Sequence, residues 1–210
     1  MRVLVIGANG LTGREIVRLL REGPHDPVAM LRDPEQERYF REQGVATVLG
    51  DLEEPLDPVL EGIDALIFAA GSGSSTGPEK TLAVDRDGAV RSIAAMEEVG
   101  VDRYVMLSAL RADPDSAGDP ISHYLRAKGI ADEHLRRSGL DYTVVRPGRL
   151  TNDEATGRVA IAPQLEPGGS VTRADVAAVM VACLDRPNTA RKSFDLLEGE
   201  TPIEAALDAV

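Results

Sequence analysis

Val3-Leu4-Val5-Ile6-Gly7-Ala8-Asn9-Gly10-Leu11-Thr12-Gly13 is the stretch on which the reading of this chain turns. Four apolar residues of high strand propensity run into GxxGxxG. The residues that follow have helical period. Leu11, Ile16, Val17, Leu19 and Leu20 share one stripe, while Arg14, Glu15, Arg18 and Arg21 face water. The order is strand, glycine turn, helix. Gly7 permits a tight turn out of the strand, Gly10 lets the backbone approach a pyrophosphate, and Gly13 lets helix and strand pack closely. The helix start then directs unpaired N–H groups and the positive end of its dipole at an anion. Asn9, Leu11 and Thr12 belong to the same turn and are expected to touch the bound group beside the glycines. A mononucleotide loop, GxxxxGK(S/T), would need Gly at position 12 and a Lys soon after; neither is present.

Outward from this turn, short apolar runs alternate with longer helical segments. Strands are predicted at Val3–Ile6, Pro27–Leu31, Thr47–Leu49, Ala65–Ala69, Tyr104–Leu107, Tyr142–Val145 and Ser193–Leu196. Helices are predicted near 11–22, 34–43, 79–99, 120–138 and 173–185. The strand runs are continuously apolar, as suits strands buried on both faces of a parallel sheet. The alternation predicts a doubly wound α/β fold of Rossmann type, with helices on both faces of the sheet. One domain is expected over residues 1–210, ending in a small extension of a helix, a strand and a tail. Three irregular stretches, 71–78, 109–120 and 149–170, each follow a strand. They can converge at the carboxyl edge of the sheet, where open α/β sheets bind ligands.

Composition narrows the function. The 210 residues carry 35 acidic against 23 basic side chains, a net charge of −12, which argues against a nucleic-acid or anionic-membrane surface. With no Trp, three Phe and four Tyr, platforms for stacking single-stranded bases are not expected. A single cysteine, Cys183, excludes an internal disulfide framework. The longest apolar run, Val176 to Leu184, is far short of the ~20 residues of a membrane helix. Met1 and Arg2 lead straight into the first strand, leaving no room for a signal peptide. A cytoplasmic protein acting on a small molecule is expected. His25, His123 and His134 show no metal-ligand spacing, so no metal site is expected, and His123 reads as a surface residue. The sequence is silent on oligomeric state.

The second predicted strand ends in Arg32-Asp33. An NAD site usually has an acidic residue there for the ribose 2′-hydroxyl, whereas a guanidinium suits a 2′-phosphate. Arg32 therefore points to NADP over NAD, with Arg14 as a second positive contact. The other reading keeps Arg32 as a solvated charge and Asp33 as the ribose ligand. Asp51 and Leu52, after the third strand, fall near the adenine by topology, although an aspartate there can also cap a turn.

Tyr124 and Lys128 stand in YLRAK on a predicted helix, four residues apart and on one face. A tyrosine works as acid or base near neutral pH when a neighbouring ammonium lowers its pKa from about 10. Ser108 closes the preceding strand, where its hydroxyl could hydrogen-bond a substrate carbonyl.

Taken in order, GANGLTG at 7–13, Ala69-Ala70-Gly71, Val84-Asp85 with Gly88, Leu107-Ser108, YLRAK at 124–128 and Val145-Arg146-Pro147-Gly148 run nearly end to end. The chain resembles the atypical short-chain dehydrogenases/reductases, near the NmrA-like and epimerase/dehydratase-like NAD(P)-binding proteins. The resemblance implies NADP binding, Tyr124 as proton donor to a carbonyl, Lys128 on the nicotinamide ribose and Ser108 orienting the substrate. Ala69, Ala70, Gly71, Pro147 and Gly148 would line the cofactor. Asp85 stands where the wider family has an asparagine that organises the lysine's relay water. An ionised Asp can only accept, so the site departs from the family's tetrad. The resemblance implies an NADP-dependent oxidoreductase acting on a small carbonyl or hydroxyl. A non-catalytic NADP-binding sensor and a flavin or quinone reductase are the alternatives. Nucleotide-sugar epimerisation is disfavoured, because only about 60 residues follow Pro147.

Overall fold

The computed structural model describes residues 1–73 and 77–210. Of the loop 71–78, Ser74, Ser75 and Thr76 lie outside the described residues. Strand β1 (Arg2–Ile6) leads through the glycine turn into α1 (Leu11–Glu22), followed by β2 (Asp26–Leu31), α2 (Glu37–Arg41), β3 (Ala46–Leu49) and β4 (Ala65–Phe68). A short α3 (Pro78–Thr81) passes without a break through a π-helical turn, Leu82–Gly88, into α4 (Ala89–Val99). Then come β5 (Arg103–Leu107), α5 (Ser122–Arg137), β6 (Asp141–Pro147) and β7 (Arg149–Thr151). The chain ends with β8 (Arg158–Ala162), β9 (Ser170–Thr172), α6 (Arg173–Cys183), β10 (Lys192–Glu198), β11 (Thr201–Pro202) and α7 (Ile203–Asp208).

The main sheet has the order β11-β8-β10-β6-β5-β4-β1-β2-β3. From β3 to β10 every neighbouring pair is parallel. The order reverses between β1 and β4, and that switch point opens the ligand crevice. Alternate residues of each strand feed opposite layers. Val3 and Val5 join Ile16, Val17 and Leu20 of α1 and Val176, Val179 and Met180 of α6. Leu4 and Ile6 join Ile93 and Met96 of α4 and Leu135 of α5. Both faces of the strands are covered, which is why their sequences lack polar alternation. Among the described residues, no helix is long and apolar enough to cross a membrane.

Two features differ from the sequence reading. Residues 149–170 are not wholly irregular. Arg158-Val159-Ala160-Ile161-Ala162 buries Val159 and pairs antiparallel with β10, and β7 pairs with β9 in a separate two-stranded sheet. The antiparallel β8 was hidden because its apolar run, Val159–Ala162, is only four residues long. Its loop is tied down by buried Asp175 on α6, which accepts from the amides of Thr156 (2.9 Å) and Gly157 (2.8 Å). The helix near 79–99 is also not uniform α-helix, since the π-turn adds a residue at Leu82–Gly88. Such bulges mark places where a side chain must be re-aimed. Here that side chain is Asp85.

Candidate active site

The glycine turn is built for a close backbone approach. Gly7 sits at φ +83°, and a Cβ there would press into the Ala69–Ala70 backbone of the neighbouring strand end. A Cβ on Gly13 would collide with the Gly7 carbonyl, while Gly10 donates its N–H to that carbonyl at 3.0 Å. No side chain caps the start of α1, and no acidic residue lies in its first turn. The first-turn N–H groups, with Leu11 and Thr12, therefore face the crevice ready for an anion. This cradle fits the pyrophosphate of a dinucleotide.

On one side of the turn, a cavity of ≈ 260 Å³ is lined by Gly7, Asn9, Gly10, Arg32, Asp51, Leu52, Ala70, Gly71 and Lys80, among others. These residues would hold the adenosine half. Arg32 is exposed on its wall. The Asp33 carboxylate does not line this cavity, and it accepts from the Glu35 amide at 2.9 Å, capping a turn. Asp51 both lines the cavity and caps its own turn, accepting from the Glu53 amide at 3.0 Å. Arg14 is held aside. Its guanidinium donates to Asn9 Oδ1 (2.6 Å from Nη2) and lies 4.1 Å from the Tyr39 ring centroid.

On the other side, a cavity of ≈ 570 Å³ brings Gly10, Leu11 and Thr12 together with Asp85, Ser108, Tyr124 and Lys128. Ala69, Ala70 and Gly71 form its floor. Pro147 and Gly148 lie one step further out, in an adjoining ≈ 410 Å³ cavity that shares Ser108 and Tyr124. His123, read from sequence as a surface residue, lines the larger cavity beside Tyr124. It stands in the first turn of α5, where the helix start curls over the crevice.

Lys128 is buried, and its ammonium is fully engaged. Nζ lies 3.0 Å from Asp85 Oδ1, 3.3 Å from the Ala70 carbonyl and 3.2 Å from the Leu107 carbonyl. Asp85 Oδ2 accepts from the Ser72 amide at 2.9 Å. Burial works against the lysine's charge, but the Asp85 carboxylate and Tyr124 outweigh it and hold its pKa above the ordinary value. The half-buried Tyr124 differs from expectation. Burial raises its pKa above 10, Lys128 offsets only part of that, and Asp85 and Asp132 push it further up. Burial and the two carboxylates together outweigh the ammonium, so the phenol is less acidic than an ordinary tyrosine. The phenol keeps its proton at neutral pH.

Asp132 was not singled out from sequence, although it follows Lys128 by four residues and so shares the face of Tyr124 and Lys128. It is completely buried. Burial raises its pKa to about 6, against the Ser108 hydroxyl, Arg136, Arg146 and Lys128, which favour its charge. Among the described residues, no cluster of His, Cys, Asp and Glu could hold a metal ion.

Comparison with known proteins identifies the family. The "Uncharacterized sugar epimerase YhfK" of Bacillus subtilis is 44% identical over 212 residues, covering 99% of both chains. The yeast "UPF0659 protein YMR090W" (Saccharomyces cerevisiae) is 34% identical over all of this chain and 99% of its own. The solved structure of a "Putative NAD-dependent epimerase/dehydratase" from Bacillus halodurans superposes with a TM-score of 0.96 at 44% identity, each chain fully covered. More distant relatives include an NAD(P)H azoreductase of Xenophilus azovorans, 30% identical over 91% of this chain and 66% of its own. Another is the photosystem II assembly factor Ycf39 of Synechocystis, 30% identical over 94% of this chain and 62% of its own. Residues 7–187 match the model of the NAD(P)H-binding family. The chain belongs to that NAD(P)H-binding family, among the atypical, epimerase/dehydratase-like short-chain dehydrogenases/reductases.

Proposed function

We propose that the protein is an NADP-dependent reductase of a small carbonyl compound, with Tyr124 as proton donor and Ser108 orienting the carbonyl oxygen. The observation that carries this reading is that Ser108 and Tyr124 line the same cavity as the glycine turn. When bound there, the nicotinamide supplies a hydride to the carbonyl carbon. The residues of the chain do the rest. Ser108 fixes the oxygen, and Tyr124, kept protonated by burial, passes its phenolic proton to that oxygen as charge develops. Lys128 and Asp85 form a neutral brace that holds the floor of the cavity against α5. With its pKa raised, Tyr124 is a weaker acid than free tyrosine, but it stands in the protonated form that reduction calls on at neutral pH. Preference for NADP rests on Arg32 at the adenosine cavity and on Asp33 being spent on its own turn.

The raised pKa of Tyr124 also favours a second reading, hydride transfer to a flavin, quinone or azo acceptor, which asks little of a protein acid. The name of the azoreductase relative is in line with it. One experiment separates the two: NADPH oxidation against aldehydes, ketones, quinones and free flavins, in wild type and Tyr124→Phe. Carbonyl turnover that falls about 100-fold or more in the variant supports the first reading. Turnover that survives moves the protein to the second. NADPH binding with no turnover of any acceptor would make it a cofactor-sensing protein instead.

A further inference from the structure

The two cavities on the Ser108–Tyr124 side carry a charge opposite to that of the chain. With 35 acidic and 23 basic side chains, the protein as a whole is strongly negative. The ≈ 570 Å³ cavity has Asp85, Lys128 and Arg173 in its lining, and the first two are spent on each other. The adjoining ≈ 410 Å³ cavity has Arg111 and Arg149 and no carboxylate. Arg111 is paired with Asp119 at 3.0 Å. Arg149 and Arg173 have no ion-pair partner among the described residues.

Arg173 is held in place by neutral groups. Its Nη1 donates to Asn152 Oδ1 at 2.7 Å and to the Leu150 carbonyl at 3.3 Å. Leu150 lines both cavities, as do Ser108, Ile121 and Tyr124, so the guanidinium is anchored beside a residue common to the two. Nε and Nη2 have no partner among the described residues. They form the edge of the guanidinium that takes two oxygens of a carboxylate or phosphate at once. The anchoring itself needs no charge, since a neutral amide can donate to the same two acceptors. A cation in the first turn of α6 also lies at the unfavourable end of the helix dipole. Asp175 of that turn is spent on the amides of Thr156 and Gly157. Ile121, 47% exposed, offers an apolar surface to the body of a substrate.

We infer that the carbonyl substrate bears an oxyanionic group, a carboxylate or a phosphate, which Arg173 holds through Nε and Nη2 with Arg149 as a second cation. This rests on the proposed reductase reading, in which the carbonyl itself lies at Ser108 and Tyr124. Arg173 is a specificity residue. It selects among carbonyl compounds by their charge and takes no part in hydride or proton transfer. The net charge of the chain works against anions in general, so a preference for them has to come from this wall.

Matched aldehydes test this on the full chain: para-formylbenzoate, para-formylphenyl phosphate and the methyl ester of the first, which share the reacting group and differ in charge. Binding is read by calorimetry on the protein saturated with NADP⁺, where no reduction occurs. At least one of the two anions should bind wild type about tenfold or more tighter than the ester, and Arg173→Gln should bring that ratio to about one. The tighter of the two anions names the source of the oxyanion. Equal binding of all three to wild type, or a ratio that Arg173→Gln leaves unchanged, overturns the inference. The same comparison in kcat/KM with NADPH separates it from the reading on which it rests. An anion preference in binding without any turnover leaves the Arg173 site standing and removes the reductase. Equal turnover of ester and anions keeps the reductase and removes the site. Should Arg173→Gln fail to fold, the ¹⁵N resonance of Arg173 Nε in wild type decides. It should move with an anion and stay in place with the ester, and an equal response to both overturns the inference.

Discussion

At the scale of single residues, Asp132 has a cost that can be measured. Its carboxyl holds a pKa of about 6 in the folded protein against an ordinary 3.8. The folded state therefore binds this proton more tightly than the unfolded chain. Its penalty grows as pH rises from about 4 through about 6, and is complete above that. Asp132→Asn removes the charge at every pH. It should stabilise the protein at pH 7.5 by on the order of 3 kcal/mol, and the gain should vanish at pH 4; urea melts at the two pH values check this. Arg32 should act on affinity alone. Its substitution by Ala should weaken NADPH binding roughly tenfold or more and leave NADH binding unchanged, as read by nucleotide titration. Equal loss for both nucleotides would remove the 2′-phosphate assignment.

At the scale of elements, the sequence displayed what depends on local chemistry and concealed what depends on register. GxxGxxG announced β1, its turn and α1, and the spacing of Tyr124 and Lys128 put them on one helix face. Nothing in Leu82–Gly88 distinguishes a π-turn from an α-turn, because the extra residue is chosen by where Asp85 must reach. The reversal of the tyrosine's expected pKa shift was equally hidden. It required knowing how deeply the fold buries the Tyr124 hydroxyl, and that the Asp85 and Asp132 carboxylates lie near enough to oppose Lys128. Helix α5 also meets the 109–120 loop more tightly than its sequence suggests. A Cβ on Gly129 would strike the backbone of Asp113 and Pro114. In an open helix, Gly→Ala gains about 1 kcal/mol. Here the clash is with main chain that cannot turn away, so Gly129→Ala should be destabilising by about 1–3 kcal/mol. It should also speed proteolysis within 109–120, which limited digestion would show. A stabilised variant would mean that the loop yields freely.

At the scale of the whole molecule, the crevice joins elements from both halves of the chain. The turn after β1, the ends of β4 and β5, and the start of α5 all contribute to one cavity. A ligand seated there should brace the entire fold. NADPH at 100 times its Kd should add about 2.7 kcal/mol of stability. For a chain of this size that raises Tm by roughly 5–10 °C, measurable by calorimetry, and NADH at the same concentration should give less. The sheet that carries the crevice ends in short strands, four residues in β3 and two in β11, the latter closed by Pro202. Edges this short offer little template for a neighbouring chain. On the far side of the sheet, α6 lies along α1 and buries Cys183 among Val176, Val179 and Met180, while Arg103 donates to the Cys183 carbonyl at 2.5 Å. Burial pushes the thiol's pKa up to about 11. In the closed molecule the sulfur is thus hidden twice, out of reach of reagents and holding the proton that blocks its nucleophilicity. It becomes reactive only when the two helices part. A thiol reagent added to the native protein would therefore act as a clock, each modified molecule recording one opening that exposed the core.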